Sequence, residues 1–371
     1  MGARDKVSSD DYPSSNSGLF TPEPRTGAHS DLGIADFNLS KGLAELQARR
    51  NLLIYMHDNP DPDAMAAAMG IKHLVECTTD LNATLALGGI VGRAENRAMV
   101  EKLKVPLIPA EVLNTDHFDT IAIVDSQPGT GNNSLPADRK VDIVIDHHPA
   151  REESAQARWC DIRPQLGATS TIVLQYLREL NIPLNTSLAT ALFYAIRSET
   201  RDLGREATVA EREAYLFLIP MVDHHLMFRI QQPKLPSEYY EALDRALRMA
   251  QVWGDVITVN LGVIAYPDLV AEVADLLLDY EAAQFVLCCG RFGKQIYLSM
   301  RTEPSQRRAG ALMRQLVGGD GTSGGHGTTA GGRLFVPVTS DFELQKAYEN
   351  LVYRLLDLTS RVGAPCIPLI R

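Results

Sequence analysis

The sequence has few of the features that mark secreted or membrane proteins. Its 371 residues include only five cysteines, an odd number without C-x-x-C or metal-finger spacing, which argues against a disulfide framework. No apolar run approaches the ~18 residues of a membrane-spanning helix, and the N-terminus lacks the apolar core of a signal peptide. A reducing, cytoplasmic location without a membrane partner is therefore expected.

Positive charge is also in short supply. Lys and Arg total 36 against 46 Asp and Glu, which gives a formal net charge of −10. The surface as a whole does not attract nucleic acid, so a polyanionic substrate needs locally placed cations or a metal ion. The charge balance favours small nucleotides as partners and argues against duplex DNA.

The pattern of apolar and turn-forming residues divides the chain into four parts. Residues 1–40 are rich in Ser, Asp, Gly and Pro, which is typical of a disordered tail. Residues 41–232 and 255–371 each alternate strand-like and helical segments, and a proline-bounded linker with a helix occupies 233–254. The sequence therefore predicts two α/β domains, an N-terminal one with a parallel sheet and a smaller C-terminal one with a mixed sheet.

One strand-to-helix transition organises the first of these domains. The apolar run Leu52 to Met56 ends at His57, and Asp61 and Asp63 follow in a proline-rich turn before a helix that is predicted to begin at Ala64. Sites in open α/β sheets form at the carboxyl ends of strands. An imidazole and several carboxylates suit a divalent cation, Mn²⁺ above all. A plain turn in which Asp63 caps the helix is the alternative.

Two further apolar runs end in the same kind of residue. Phe118 to Asp125 is a predicted strand that closes on a carboxylate, and Val141 to Ile145 runs into the triplet 146–148, Asp-His-His. Crowded carboxylates repel one another unless a cation joins them. A second Asp-His-His triplet at 223–225 follows a helical pattern instead, and we interpret it as a structural or surface feature.

The C-terminal domain has its own motif. A loop with eight glycines is predicted from Gly318 to Gly332, between a helix at Arg308 to Leu316 and a strand that begins at Leu334. Glycines let backbone N–H groups approach an anion. A flexible surface loop is the alternative interpretation.

Taken together, four groups of residues resemble the DHH phosphoesterase family, in the branch with the first type of DHH-associated C-terminal domain. The groups are His57-x3-Asp61-x-Asp63, Asp125, Asp146-His147-His148 and Gly324-Gly325-His326-x2-Thr329-Ala330-Gly331. The size and layout are similar to those of the nanoRNases, which degrade very short RNA. Some of these also hydrolyse adenosine 3′,5′-bisphosphate or linear and cyclic dinucleotides.

The resemblance implies a centre with two Mn²⁺ ions, for which Mg²⁺ or Co²⁺ are alternatives. His57 and Asp61 would hold one ion. Asp63 and His147 would hold the other together with a carboxylate from a later helix, and Asp125 would bridge the two ions.

That later carboxylate departs from the family pattern. Glu199 stands where the family usually has Asp, and Asp202 is the alternative ligand. The additional methylene of Glu moves its oxygens by about 1.5 Å. Within the triplet, His148 is expected to contact a phosphate group and Asp146 to orient a histidine, or alternatively to cap the strand end.

The same resemblance assigns substrate binding to the second domain, with a cleft between the domains that the linker opens and closes. The expected binding residues are Ser299, Arg301, Gly324, Gly325, His326 and Thr329. Arg301 is assigned to a terminal phosphate, because its planar fork can bind two oxygens.

The function implied is hydrolysis of short single-stranded RNA or small nucleotides by a metal-activated water. Very short RNA, adenosine bisphosphate and cyclic di-adenylate remain open as substrates, and a homodimer is the expected assembly. A pyrophosphatase or polyphosphatase is one alternative. A nucleotide-binding regulatory protein without turnover is another, which only the Glu199 departure favours.

Overall fold

The computed structural model describes residues 38–306, 308–335 and 340–370, without the side chain of His326. The predicted tail therefore lies outside the described residues, except for its last three positions. These last positions belong to an ordered segment, because the first helix begins at Leu39 and the side chain of Asn38 caps it.

The first region, residues 38–231, is a parallel sheet with helices. Its strands are β1 (Asn51–Tyr55), β2 (Asn82–Leu87), β3 (Leu107–Pro109), β4 (Thr120–Val124), β5 (Ile143–Asp146) and β6 (Trp159–Ile162). Its helices are α1 (Leu39–Leu46), α2 (Pro62–Thr78), α3 (Ala94–Leu103), α4 (Thr169–Glu179), α5 (Thr186–Glu199), α6 (Val209–Leu218) and α7 (His224–Gln231). The strand order is β3-β2-β1-β4-β5-β6, with parallel pairing throughout.

The strand order places a crevice at a defined point. The chain runs outward from β1 through β2 to β3 and then returns to β4 on the other side of β1. Ligands of open α/β sheets bind at such a reversal, outside the carboxyl ends of the strands. The residues that follow β1 and β4 therefore flank the crevice.

Small residues allow α2 to lie deep in this region. Ala64 and the run 66–68 are completely buried, and α2 packs against α4 and α5. A Cβ atom at Gly70 would lie 2.4 Å from Cγ1 of Val173 in α4, so the glycine permits the close approach. This packing fixes the N-terminus of α2 next to the end of β1.

The second region, residues 237–370, is built on a mixed sheet. Its strands are β7 (Gln251–Trp253), β8 (Val256–Val263), β9 (Phe285–Phe292), β10 (Gln295–Thr302), β11 (Gly321–His326), β12 (Thr329–Leu334) and β13 (Cys366–Pro368). Its helices are α8 (Ser237–Met249), α9 (Leu269–Leu278), α10 (Ala309–Val317) and α11 (Asp341–Leu358). The strand order is β11-β12-β10-β9-β8-β7-β13, in which β8 and β9 pair in parallel and the other neighbours are antiparallel.

These observations confirm the predicted α/β fold with one parallel and one mixed sheet. The structure adds detail to one predicted segment and corrects another. The segment predicted as a linker helix packs onto the second sheet, where Ala242 and Ala246 join a buried cluster with Val259, and its last residues form β7. The predicted glycine loop contains the hairpin β11–β12. Its register pairs Gly324 with Gly331.

α10 lies directly against that hairpin, so the helix requires glycine at position 310. A Cβ atom at Gly310 would come within 2.1 Å of the carbonyl oxygen of Gly325, which itself has a φ of +132°.

None of the helices in the described ranges combines the length and the apolar character that crossing a membrane requires.

Candidate metal centre

The turn after β1 is fixed by a helix cap. Oδ1 of Asp61 accepts the backbone N–H groups of Asp63 at 2.9 Å and Ala64 at 3.0 Å, and Pro62 occupies the first helical position. The helix thus begins two residues earlier than predicted, and Asp61 rather than Asp63 is its cap. Pro62 was the signal in the sequence, because proline is favoured at the first position of a helix and the residue before it then occupies the cap. With this cap in place, His57 and Asp61 both lie at the crevice, and Nε2 of His57 is 3.8 Å from Oδ1 of Asp61.

Asp125 follows β4 in an unusual backbone conformation. It is only 2% exposed, and its φ is +57°, which is rare for a residue with a side chain. Such a conformation costs of the order of 1–3 kcal/mol and persists where the surroundings hold it. Part of that restraint is a hydrogen bond of 2.7 Å that the hydroxyl of Thr169 donates to Oδ1.

The carboxylate of Asp125 faces a histidine with each of its oxygens. Oδ2 lies 3.7 Å from Nε2 of His57, and Oδ1 lies 3.8 Å from Nε2 of His147. The described residues contain two groups whose ligand atoms lie within 4.8 Å of one another: His57 with Asp61 and Asp125, and Asp125 with His147 and His148. Because the groups share Asp125, the residues could hold two cations with one bridging carboxylate.

The second group is supported from behind by Asp146. This residue is 1% exposed, and its Oδ1 accepts the backbone N–H groups of His147 at 2.8 Å and His148 at 3.2 Å. The same oxygen lies 2.8 Å from Nδ1 of His148. Oδ2 accepts a hydrogen bond of 2.7 Å from the buried amide of Gln127. Asp146 therefore fixes the ring of His148, and Gln127 fixes Asp146.

Sequence reasoning did not single out Gln127. Its Oε1 accepts from the hydroxyl of Ser154 and the backbone of Arg151, both at 2.9 Å, and its Nε2 also donates to the carbonyl of Pro149. A glutamine in a loop carries no signal of its own. Only its position two residues after Asp125 could have drawn notice.

Two acidic side chains of the centre, Asp63 and Asp125, hold protons more tightly than usual. Burial and the charge of Asp61 raise the pKa of Asp63 to about 7. Burial and the charges of Asp63 and Asp61 raise the pKa of Asp125 well above its usual value. This is the electrostatic condition of a carboxylate cluster that a divalent cation relieves, since the cation supplies the missing positive charge.

The histidines are affected by the same carboxylates. Burial alone would lower the pKa of His57, but Asp61 outweighs it and raises that pKa to about 9, while the pKa of Asp61 falls. Burial is likewise outweighed at His148, where Asp146 raises the pKa to about 9. His148 and Gln127 hold the pKa of Asp146 at about 2 against the effect of burial.

Asp63 lies at the centre and also supports a neighbouring helix. Its two oxygens accept the backbone N–H groups of Thr169 at 2.7 Å and Ser170 at 2.9 Å. It thereby caps α4, which begins after Ala168, a residue without a capping side chain. Within the described residues it is His148, and not Asp63, that joins Asp125 and His147 in one ligand group.

The two candidates for the last carboxylate face different surroundings. Glu199 ends α5 and accepts from Arg205 at 3.2 Å, and its charge contributes to raising the pKa values of Asp63 and His148. Asp202 forms an ion pair with Arg197, with 3.2 Å between Nη2 and Oδ2. The structure therefore directs Glu199 toward the centre.

The predicted substrate residues lie on adjacent strands of the second sheet. Thr329 on β12 is opposite Arg301 on β10, and Gly325 is opposite Ala330. Ser299 is buried, and its hydroxyl accepts a hydrogen bond of 2.9 Å from Arg301. The prediction for the His326 side chain lies outside the described residues.

The hairpin β11–β12 contacts the loop that follows Asp125. Arg333 donates to the carbonyl of Gly131 at 3.3 Å, and a Cβ atom at Gly131 would lie 2.8 Å from Cγ2 of Thr322. The glycine hairpin is thus adjacent to the region that carries the ligand groups.

A parallel sheet with aspartates and histidines at the carboxyl ends of its central strands defines an α/β protein with a candidate metal centre. The sequence model described as "DHH family, N-terminal domain" matches residues 51–196 of this chain. The matched range includes β1, β4 and β5.

Individual curated proteins are also similar to this chain. The chain is 33% identical over 314 residues to the uncharacterized protein MJ1633 of Methanocaldococcus jannaschii, covering 83% of this chain and 64% of that protein. It is 28% identical over 157 residues to a probable manganese-dependent inorganic pyrophosphatase of Lactiplantibacillus plantarum, covering 42% of this chain and 50% of that protein. The chain thus spans less than two thirds of the length of these curated relatives.

Solved structures share the fold. An exopolyphosphatase-related protein from Bacteroides fragilis has a TM-score of 0.64 at 16% identity, covering 87% of this chain and 97% of that chain. RecJ in complex with Mn²⁺ from Thermus thermophilus has a TM-score of 0.50 at 14% identity, covering 91% of this chain and 59% of that chain.

Proposed function

We propose that this protein is a Mn²⁺-dependent phosphoesterase that hydrolyses short oligoribonucleotides or related small nucleotides. The observation that carries the proposal is the pair of ligand groups that share Asp125, one through each oxygen of its carboxylate. The names of the similar proteins support it, because a manganese-dependent pyrophosphatase and a Mn²⁺ complex of RecJ are among them.

In this proposal the residues of the first region hold two divalent ions, Mn²⁺ or alternatively Mg²⁺ or Co²⁺. His57, Asp61 and Asp125 form one group, and Asp125 and His147 belong to the other, which Asp63 and Glu199 complete. Bound divalent ions supply an activated water near neutral pH and offset the charge that develops on a phosphoryl group.

The chain's own contribution is to position these groups before substrate arrives. Asp146 holds the ring of His148 through Nδ1, at 2.8 Å, so that His148 keeps a fixed orientation toward the phosphate. His148 is the residue that we expect to contact a phosphate oxygen, and Asp146 is the residue that positions it. Removal of a group that orients a ligand or its neighbour lowers activity 10–100-fold as a rough guide.

The second region is proposed to bind the remainder of the substrate. The hairpin contacts the loop that follows Asp125 through Thr322 and Arg333. Gly324, Gly325 and Thr329 lie farther along the same hairpin, and Ser299 lies on the neighbouring strand β10. Backbone N–H groups of glycines can approach an anion closely. His326 is proposed as a further contact to the nucleotide. From the sequence alone, we also propose that the protein acts in the cytoplasm as a homodimer.

Inorganic pyrophosphate is a second candidate substrate, because relatives named as probable pyrophosphatases match about two fifths of this chain. In the pyrophosphatase of Lactiplantibacillus plantarum the match spans 157 residues, fewer than the two regions together. The mixed sheet with its glycine hairpin favours a larger substrate with a nucleoside part.

The deciding experiment is hydrolysis of a 5′-labelled RNA dinucleotide by the purified protein with Mn²⁺ and, in parallel, with a chelator. Adenosine 3′,5′-bisphosphate, cyclic di-adenylate and pyrophosphate are tested beside it. Metal-dependent release of mononucleotides supports the proposal. Turnover of pyrophosphate alone would replace the nucleotide substrate, and tight nucleotide binding without any turnover would identify a regulatory protein.

A further inference from the structure

One carboxylate joins the two regions. Asp275 on α9 lies 2.7 Å from Nε of Arg301 on β10 and 2.7 Å from Nη2 of Arg201, which follows α5. Nη2 of Arg93, just before α3, lies 3.5 Å from its other oxygen. Two of the three arginines come from the first region, so the cluster lies at the junction between the two regions.

The three arginines are not equivalent. Arg93 is also 3.8 Å from Glu95, and the acidic side chains of Asp268 and Glu272 act on it as well. Its charge is therefore already offset. Arg201 and Arg301 share the charge of Asp275, because each lies 2.7 Å from its Oδ1.

Exposure separates Arg301 from Arg201 further. The side chain of Arg301 is 10% exposed, while that of Arg201 is 50% exposed. Besides Asp275, Arg301 donates to the hydroxyl of Ser299 at 2.9 Å and to the carbonyl of Met300 at 3.1 Å. The guanidinium of Arg301 is buried and its N–H groups already donate to these partners, so it has little capacity to bind a phosphate. The guanidinium of Arg201 is half exposed and can still donate to a ligand.

Arg201 is also close to the candidate metal centre along the chain. It comes two residues after Glu199, whose charge acts on Asp63 and His148. Its backbone belongs to a run of three non-glycine residues in the left-handed region, with φ values of 46°, 56° and 67° at positions 201–203. Such a run is strained, and strain of this kind is typical of functional sites.

Local hydrogen bonds maintain this strained segment. The backbone N–H of Asp202 donates to the carbonyl of Arg197 at 2.9 Å, and that of Arg205 donates to Thr200 at 2.8 Å. The chain thereby leaves α5 toward the second region and presents Arg201 to Asp275. The segment has one defined conformation at the edge of the metal centre.

We propose that Arg201 determines substrate specificity by binding a second phosphate of the substrate, one that is not cleaved. Asp275 and Arg301 are positioning residues that hold Arg201 at the junction. The inference rests on the proposed phosphoesterase function, and it assigns to Arg201 the phosphate contact that the sequence assigned to Arg301. The ligand class is a nucleotide with two phosphate groups, and the guanidinium fork suits two oxygens of the second one.

The test compares two substrates that differ in this second phosphate. Bis(p-nitrophenyl) phosphate has only the group that is cleaved, and the 5′-phosphorylated dinucleotide pApA has one more. For Arg201→Gln we expect KM for pApA to rise about tenfold or more, since a hydrogen bond to a charged group contributes about 1.5–3 kcal/mol. The kcat/KM for the aryl diester should change by less than about twofold, because this substrate has no second phosphate for Arg201 to bind.

Further variants separate binding from structure. Arg201→Lys retains the charge and should recover part of the affinity for pApA. Asp275→Asn, which loosens Arg201 without removing it, should raise KM for pApA less than Arg201→Gln. Arg248→Gln is the matched control, because Arg248 pairs with Asp244 at 2.8 Å within α8. This variant should change neither the KM for pApA nor the kcat/KM for the aryl diester.

The outcomes are distinct. Equal losses on both substrates, or an unchanged KM for pApA in Arg201→Gln, would overturn the inference while the phosphoesterase function stands. If the unaltered protein cleaves neither substrate, the proposed function fails. Calorimetric binding of pApA to the unaltered protein and to Arg201→Gln then decides the inference by itself, because a second-phosphate contact must still weaken when the arginine is removed.

Discussion

The chain contains the triplet Asp-His-His twice, and the structure uses the two copies differently. At 146–148 the triplet ends a buried parallel strand. Asp146 accepts the backbone N–H groups of both histidines and contacts the ring of His148, and both histidines face Asp125. At 223–225 Asp223 caps α7 by accepting the N–H of Leu226 at 2.9 Å, and both histidines are exposed. The composition of the triplet is the same, so its place in the fold decides its role.

The difference lies in what surrounds each copy. Three parallel strand ends bring other carboxylates to the first triplet, which raises the pKa of Asp125 and makes a cation favourable there. The second triplet stands at a helix N-terminus, where an aspartate satisfies backbone N–H groups and needs no cation. Four experiments can break or sharpen this contrast.

The largest effect is expected from Asp125→Asn. The change removes the one carboxylate that both ligand groups share, so metal-dependent hydrolysis should fall by at least about a thousandfold, since loss of the bridging group removes both the activated water and the charge neutralisation. Steady-state kinetics with Mn²⁺ measure this. Asp223→Asn in the second triplet is the matched control and should retain activity; residual turnover of Asp125→Asn above a tenth of normal would contradict the shared-ligand assignment.

A smaller loss is expected when Asp146 becomes Asn. The variant keeps the shape but loses the charge that fixes His148 at 2.8 Å, so kcat should fall about 10–100-fold with little change in KM. Double replacement of His224 and His225 by Gln serves as the comparison and should leave kcat unchanged. A rise in KM at constant kcat would mean that Asp146 acts on binding instead.

The metal-free protein should lose thermal stability as the pH rises from about 5 to 9. The folded-state pKa of Asp63, about 7, exceeds its unfolded value, so its contribution declines with rising pH above about 4. The contributions of His57 and His148, both near 9, are complete below about pH 6.5 and are lost as the pH rises through about 9.

The opposite shifts of Asp61 and Asp146 do not affect that window, because their contribution is lost only as the pH falls below about 4. Mn²⁺ replaces the protons among the carboxylates, so the increase in Tm that it causes should be larger at about pH 8 than at about pH 6. Differential scanning calorimetry measures both. An increment independent of pH would contradict the electrostatic description of the centre.

The smallest effect is expected from Asp223→Ala, which should destabilise the protein by about 1 kcal/mol through loss of the α7 cap. Urea unfolding of the variant measures this change, while kcat and KM should equal those of the unaltered protein. A loss of activity comparable to that of Asp146→Asn would mean that the second triplet also belongs to a functional site.

The sequence was sufficient for the features that a single segment encodes. The apolar runs before His57, Asp125 and Asp146 predicted three parallel strands and placed their last residues together, and the structure has these strands as β1, β4 and β5. This works because a buried strand and its polar end are adjacent in the chain, and because parallel strands share one carboxyl edge.

Other features depend on partners far away in the chain. The short strand β13 pairs with β7, more than a hundred residues earlier, and neither has a strong pattern of its own. Asp275 contacts Arg201 only because the two regions meet, and nothing in the local pattern around either residue indicates this contact. The cap of α2 is a local feature that was misassigned because Pro62 was interpreted as part of the turn, although proline is favoured at the first helical position and Asp61 directly precedes it.

The left-handed backbone at Asp125 has a consequence for how the protein changes over generations. Glycine or asparagine at this position would accept the φ of +57° more readily, and either would also remove a buried charge that its neighbours repel. A population selected only for thermal stability would therefore be expected to lose this aspartate early. Under the proposed function, its presence marks a position where folding and chemistry favour different residues.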